Sequence, residues 1–506
     1  MKSVKNFSGK TCFSYLILHT GEDYNSCFRN WSEQVICQRT VSAVEEVTGA
    51  NSRLSNLIAI RKDAKFTSYF RVGETNMVQK QKLTRRELLK SSALAAGTLA
   101  FAGAAVPLAE ARGSDTIRVG VIGCGGRGSG AANDCVNSSK GVEIVALADT
   151  FEDRLAGLKK QFKVPDNRCF VGMDAYKKVL ALDDVNLIIL ATPPGFRPKQ
   201  YAAAINSGKN VFMEKPVAVC PAGIKMVIEA SQKATEKGLG VVAGTQRRHE
   251  PKYVETMKRI HDGAIGDIVS AQCYWNMGEL WVSQRQPNQG DVEWQIRNWL
   301  YFTWLSGDHI CEQHVHNIDV INWAFNELPE QVHGLGGRQY RTGPEHGNIF
   351  DHFGVEFFYP GDVRTISMCR QIKGTTNNVS ERVVGTKGVS DCCGIIKGEN
   401  PWRYEGPNPN PYVEEHKNLI KSIRSGNPLN EGKRIAESTL CAIMGRESAY
   451  SRQQFNRSWF MNRCTLDLLP SDDLKLSDSK PVPPFAVPGK YELPGMVQEG
   501  RRRRRG

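Results

Sequence analysis

No two of the 14 cysteines in this 506-residue chain form a CxxC pair, and they are scattered rather than clustered. A chain this long needs no covalent staples, so a disulfide framework is excluded as the organising principle. Cys124, Cys220 and Cys441 lie in apolar or glycine-rich runs typical of buried free thiols. Cys392 and Cys393 are adjacent, which disfavours an ordinary bridge between them. All are read as structural. Beyond the first hundred or so residues there is no apolar run of membrane-spanning length. Nor is there a basic stripe interleaved with aromatics, which argues against a nucleic-acid partner. The net charge of +13 owes much to the basic N-terminal region and to the run Arg501–Arg505, read as a solvated tail.

What is present divides the chain. Arg85-Arg86 stand ahead of an uncharged apolar stretch, Ala93–Leu108, that ends in Ala109-Glu110-Ala111, a small-x-small cleavage pattern. The three parts resemble a twin-arginine export signal, which implies a periplasmic protein that folds and loads its cofactor in the cytoplasm. Such signals begin a chain, and Met77 stands just ahead of this one, so residues 1–76 read as a non-native or disordered extension and 77–111 as the signal. With the signal cleaved, no membrane contact is expected.

Thr116–Ile122 is a short β-branched apolar run, as a buried parallel strand requires. It leads into Gly123-Cys-Gly125-Gly126-Arg127-Gly128 and a helix-compatible stretch, Ser129–Val136. This is GxGxxG between strand and helix: Gly123 permits the turn, Gly125 lets backbone approach a pyrophosphate, and Gly128 lets helix pack on strand. A second strand, Val142–Ala148, ends in Asp149, whose carboxylate suits a ribose 2′-hydroxyl and repels a 2′-phosphate, favouring NAD over NADP. Helices at Phe151–Phe162, Ala175–Leu182, Lys199–Ser207 and Ala222–Lys237 alternate with strands at Leu187–Ala191, Asn210–Met213 and Gly238–Ala243. That alternation predicts a doubly wound parallel sheet. Gly125, Asp149, Thr192 and Lys215 then share the carboxyl edge, where such sheets bind ligands.

The order GxGxxG, Asp149, Thr192-Pro193, Glu214-Lys215-Pro216 resembles the Gfo/Idh/MocA oxidoreductases, from about Thr116 to Ser451. The resemblance implies an α/β fold: a Rossmann dinucleotide-binding domain (115–244), then an α+β substrate and oligomerisation domain (245–455) with an open, mainly antiparallel sheet. Strand patterns at 266–274, 353–359 and 363–369 suit that sheet, and residues 456–506 read as an irregular arm and basic tail. It also implies an NAD(H)-dependent dehydrogenase acting on a sugar or polyol carbinol, a homo-oligomer through the sheet, and Lys215 near the nicotinamide and the reacting hydroxyl. The cofactor set becomes Gly123, Gly125, Gly126, Arg127, Gly128, Asp149, Thr192, Pro193, Glu214 and Lys215. Where the family often has His shortly after Thr-Pro, this chain has Arg197, and Gln246 stands for a usual Asn ahead of Arg247 and Arg248.

In the segment 307–320, His309, Glu312, His316 and Asp319 are spaced three, four and three apart, one stripe if the segment is helical. Ionisable groups repeating on a face among apolar neighbours are costly to bury without a task. The family pattern Asp-x-Gly-x-His-x-x-Asp finds Glu312 for the first Asp, His314 for Gly, then His316 and Asp319. By that resemblance His316 and Lys215 flank the carbinol, and either could take the hydroxyl proton. Glu312 would hold a substrate hydroxyl or orient the ring, with Gln246, Arg248, His309 and Asp319 nearby. Satisfied core histidines are the plain alternative. A metal site is not favoured, because His314 would project from another face. The aromatics Trp275, Trp281, Trp294, Trp299, Tyr301, Phe302 and Trp304 serve as sugar-stacking surface, or, for most of them, as core or subunit interface. Two other functions fit the same residues: a glycosidase that oxidises and re-reduces its substrate on bound NAD, and a non-catalytic nucleotide-binding protein.

Overall fold

A computed structural model describes residues 116–496; the expected extension, the signal and the Arg501–Arg505 run lie outside the described residues. The first half runs β1 (Ile117–Ile122), α1 (Gly126–Ser138), β2 (Val142–Asp149), α2 (Glu152–Phe162), β3 (Cys169–Val171), α3 (Ala175–Leu180), β4 (Leu187–Leu190), α4 (Arg197–Asn206), β5 (Asn210–Met213), α5 (Pro221–Glu236) and β6 (Val241–Ala243). The six strands pair in parallel in the order β3-β2-β1-β4-β5-β6. β4, Leu-Ile-Ile-Leu, is buried at every residue because helices cover both faces, which is why its sequence is a continuous apolar run. β3 was absent from the sequence reading: its three residues, Cys169-Phe170-Val171, are apolar but too few to form a recognisable run, and none is fully buried. Strand order reverses between β1 and β4, so the crevice opens at their carboxyl ends.

The second half runs α6 (Pro251–His261), β7 (Ile268–Met277), α7 (Asp291–Arg297), α8 (Thr303–Ser306), α9 (His309–Glu312), α10 (Val315–Phe325), β8 (Gln331–Gly337), β9 (His352–Tyr359), β10 (Val363–Gln371), β11 (Asn378–Gly385), β12 (Gly388–Ser390), β13 (Ile395–Gly398), β14 (Trp402–Arg403), α11 (Pro411–Arg424), α12 (Gly432–Ser451), β15 (Phe455–Asn456) and α13 (Arg457–Arg463). Nine strands form an open sheet, β14-β13-β12-β11-β7-β10-β9-β8-β15. All pairings are antiparallel except β7 with β10. Alternation sends Phe353, Val355 and Phe357 of β9 into the core. On the opposite face Leu335, Ile366 and Met368 are exposed. Helix α12 lies so close to β8 that a side chain at Gly334 would meet the backbone of Ala449 at 2.8 Å.

Two placements go beyond the sequence reading. Helix α11 lies against the parallel sheet: Leu419 and Ile420, both fully buried, share a core with Val119, Phe212 and Val242. The C-terminal arm, read as irregular, folds back on its own chain. Leu466, Ala486 and Leu493 are buried there, Lys199 Nζ donates to Asp472 at 2.6 Å, and Leu474 and Leu476 pack against a cluster around Trp294 and Trp304.

Candidate active site

The glycine loop joins β1 to α1. Gly123 takes φ +91°, and a Cβ there would lie 2.7 Å from the Thr192 nitrogen of the neighbouring loop. A Cβ on Gly128 would lie 1.8 Å from the Gly123 carbonyl oxygen, whereas Gly125 and Gly126 face open space. These differences separate the roles. Gly128→Ala forces backbone apart and is expected to cost about 1–3 kcal/mol, read as a lower melting temperature. Gly125→Ala is expected to keep the melting temperature and intrude only on the ligand. Gly125 to Gly128 border a cleft of about 430 Å³, together with Asp149, Thr150, Thr192, Pro193 and Gln200. The first turn of α1 carries no acidic residue, so its free N–H groups suit an anion.

Asp149 is pinned at the end of β2: its carboxylate accepts from the Cys124 N–H at 2.7 Å and the Phe151 N–H at 3.0 Å. Burial pushes its pKa up, and these two amides oppose the rise. Each oxygen keeps a lone pair for a further donor. Glycines that leave backbone bare, a helix amino end and a carboxylate at the second strand together fit a dinucleotide.

Glu214-Lys215-Pro216 leaves β5. Glu214 turns toward the glycine loop, accepting from Arg127 Nε at 2.5 Å, and Arg127 also lies 4.9 Å over the Tyr412 ring. These two predicted cofactor residues therefore brace one another. Lys215 turns the other way, donating to Glu312 Oε1 at 2.9 Å and to the Glu312 carbonyl. Its side chain is 12% exposed and that of Glu312 9%. Arg197, the residue in place of the usual histidine, is a buried tie: its guanidinium donates to the carbonyls of Thr192 and Pro216, joining the ends of the β4 and β5 loops. Burial lowers its pKa to about 10.

The expected single helical stripe is broken. Asp308 takes φ +69° and caps α9 by accepting the His309 N–H, and the chain kinks at Gln313–His314 before α10 begins. The break splits the stripe. Glu312 meets Lys215, while the His309 ring turns back to Asp308, Nδ1 at 2.9 Å. Asp319 is engaged by Arg248 at 2.8 Å, by Ser438 at 2.8 Å and by Arg434 at 3.3 Å. His309, Arg248 and Asp319, expected near substrate, are therefore each committed to buried partners. His314 bonds Ser367 at 2.7 Å, and its pKa falls to about 3 through burial.

His316 lies one turn beyond Glu312. Its ring stacks on Trp275, centroids 5.7 Å apart and planes 22° from parallel, and neither ring nitrogen has a hydrogen-bond partner among the described residues. Burial first, then the charges of Lys215, Arg247 and Arg127, hold its pKa well below 6.5. The imidazole is thus neutral, next to a cationic amine. Arg247, rather than Arg248, is the arginine whose field reaches it. Arg247 pairs with Glu381 at 2.5 Å, and Tyr253 and Asn317 also donate to that carboxylate. No spacing in the sequence distinguishes Arg247 from Arg248, since only the sheet register brings Glu381 beneath it. Gln246 donates to the Tyr412 hydroxyl at 3.3 Å, on the Arg127 side.

Of the aromatics, Trp294, Tyr301, Phe302 and Trp304 are core, while Trp281 and Trp299 border the cleft. Phe196, Met173 and Arg154 also line it. None of the three was singled out from sequence, because each lies in a loop or first turn with no motif of its own.

Residues 117–242 match the family model described as an oxidoreductase family with NAD-binding Rossmann fold, and residues 253–390 match the GFO/IDH/MocA C-terminal domain. Inositol 2-dehydrogenase of Salmonella typhimurium is 28% identical over 212 residues, 42% of this chain and 55% of that protein. Glycosyl hydrolase family 109 protein 1 of Bacteroides fragilis is 26% identical over 282 residues, 54% of this chain and 58% of that protein. The chain thus matches little more than half the length of these relatives. Among solved structures, scyllo-inositol dehydrogenase of Lactobacillus casei with bound NAD(H) and scyllo-inositol aligns with 67% of this chain and 99% of its own, at TM-score 0.53 and 19% identity. The aldose-aldose oxidoreductase of Caulobacter crescentus aligns over 67% and 99%, at TM-score 0.56 and 16% identity. These structural likenesses concern the fold. With the glycine loop, the Glu-Lys-Pro turn and both domain matches in one chain, the protein belongs to the Gfo/Idh/MocA oxidoreductase family.

Proposed function

We propose that the protein is an NAD(H)-dependent oxidoreductase acting on a sugar or polyol carbinol. The observation that carries this reading is the pairing of Lys215, on the turn that leaves β5, with Glu312 one turn before a neutral, unpartnered His316. Nicotinamide, when bound, supplies the hydride acceptor. The protein's own part is to hold the carbinol and move its proton. The Lys215 ammonium, fixed by Glu312, donates to the carbinol oxygen and stabilises negative charge as it grows there. His316, uncharged and aligned by Trp275, accepts the hydroxyl proton. The imidazolium so formed sits among the charges of Lys215 and Arg247, which drives its proton onward to solvent. In this reading Gly123 to Gly128, Asp149, Thr192, Pro193 and Glu214 hold or frame the dinucleotide, and Asp149 favours NAD over NADP.

The Bacteroides relative named as a glycosyl hydrolase supports a second reading, in which the same residues oxidise and later re-reduce a sugar with no net redox change. A panel separates the two. A dehydrogenase reduces nicotinamide when offered polyols, seen in the reduced-nicotinamide absorbance. A glycosidase releases nitrophenol from nitrophenyl sugars with no lasting absorbance change. Neither signal from NAD-loaded protein would refute both.

We also propose export by the twin-arginine route and self-association through the nine-stranded sheet. In support of the latter, Leu335 (65% exposed), Met368 (45%) and Ile366 (36%) share the outward face of neighbouring strands. Such an apolar face suits a second copy of the same sheet. Leu335→Lys combined with Met368→Lys is expected to convert the oligomer to monomer at unchanged melting behaviour, measured by light scattering. A wild-type protein that is already monomeric at micromolar concentration contradicts the proposal.

A further inference from the structure

The cleft that begins at the glycine loop is not walled by the parallel-sheet domain alone. Trp281, Ile296, Arg297 and Trp299 line it too, and they come from the segment between β7 and α8. This segment is built firmly. The Ser283 N–H donates to Asn298 Oδ1 at 2.9 Å and the Trp294 indole donates to the Ser283 carbonyl at 3.1 Å, which closes the irregular stretch onto α7. The C-terminal arm fastens it from outside: the Lys480 N–H donates to Asp291 at 3.0 Å, and Gln295 donates to the Lys480 carbonyl at 2.5 Å.

Its position along the cleft is fixed by Arg297. That guanidinium lies 3.7 Å from the Phe151 ring centroid and pairs with Asp153 at 3.2 Å. Phe151 and Asp153 follow directly on Asp149, the residue at the ribose end of the cleft. The segment therefore lies over the Asp149 end of the cleft, where the adenosine half of a dinucleotide would sit. Trp299 and Trp281 line this part of the cleft and contact each other edge to face, ring centroids 6.3 Å apart. Aromatic faces bind a purine by stacking, whichever groups the base carries.

We propose that residues 281–299 form a second wall of the dinucleotide site, with Trp299 and Trp281 against the adenine and Arg297 as the brace, so that the cofactor is released slowly and stays through many turnovers. This rests on the NAD reading. It goes beyond that reading in assigning cofactor-holding residues outside the nucleotide domain and in predicting the rate of exchange.

The test is a stopped-flow chase. Wild type, Trp299→Ala and Trp281→Ala are each loaded with NADH and then mixed with a large excess of NAD, with tryptophan-sensitised NADH emission as the signal. Both variants are expected to release NADH faster, Trp299→Ala by roughly ten- to a hundredfold, the range set by loss of one base–aromatic stack. Energy transfer should also fall in both. Trp281 is 48% exposed, so its removal tests the wall even if Trp299→Ala does not fold. Wild-type protein that binds NADH, with variants that release it at the wild-type rate, overturns the wall and leaves the NAD reading standing. Wild-type protein that takes up no NADH overturns both.

Discussion

Lys215→Met is expected to lower turnover by about 10³-fold or more while NAD binding stays within a few-fold, since proton-transfer and charge-stabilising groups supply factors of about 10²–10⁴ each. The amine reaches Glu312 and not the dinucleotide cleft, so its loss removes catalysis and spares the cofactor. The same change carries a stability signature. Glu312 has a 9% exposed side chain, and one of its oxygens already lacks a partner. Removing the ammonium leaves a buried carboxylate without its cation, which costs about 3–5 kcal/mol when such pairs are broken from one side. The double variant Lys215→Met with Glu312→Gln is expected to recover most of that loss in thermal denaturation and none of the activity. Recovery of activity in the double variant would mean that Lys215 serves only to neutralise Glu312.

His316→Ala is expected to lower turnover to a similar extent, and the wild-type pH profile carries a sharper signature. An unperturbed histidine base titrates near pH 6.5. Burial and the charges of Lys215, Arg247 and Arg127 disfavour the imidazolium, so His316 protonates only well below that value. The base is therefore active above a depressed pKa and lost below it, and the acid limb of kcat/KM should fall well below pH 6.5. Arg247→Gln removes one of the depressing charges, which stabilises the imidazolium and moves the limb upward, toward 6.5. An acid limb that stays put in Arg247→Gln, or that lies near 6.5 in wild type, contradicts the assignment of His316 as the base.

The nucleotide half was legible because buried parallel strands write themselves as apolar runs. β5 was read with its observed limits, Asn210–Met213, and β2 within one residue. Where the strand was only three residues long no run could form, as for β3. The 20-residue helix α12 went unread: it is buried on nearly every side and so has no polar face to give a period. At the site, the resemblance implied that Lys215 and His316 flank one carbinol, but neither the ion pair of Lys215 with Glu312 nor the fate of the rest of the stripe was legible. Periodicity assumes a continuous helix and names no partners, whereas the helix is interrupted at Gln313–His314, His309 pairs with Asp308, and Asp319 pairs with Arg248. Arg197 shows the same limit. A charged residue at a helix start reads as surface, and only the two facing carbonyls explain why it is buried.

The proposed activity requires hydride to pass between a substrate carbon and nicotinamide beside Lys215 and His316, whether or not the overall reaction is redox-neutral. The most direct measurement is a single turnover of NAD-loaded protein with carbinol-deuterated polyols and sugars, followed by mass spectrometry of the released nucleotide. Wild type should place deuterium on the nicotinamide with at least one of them, and Lys215→Met and His316→Ala, still loaded with NAD, should not. Label appearing in both variants at the wild-type rate, or in none of the proteins with any substrate, would contradict it.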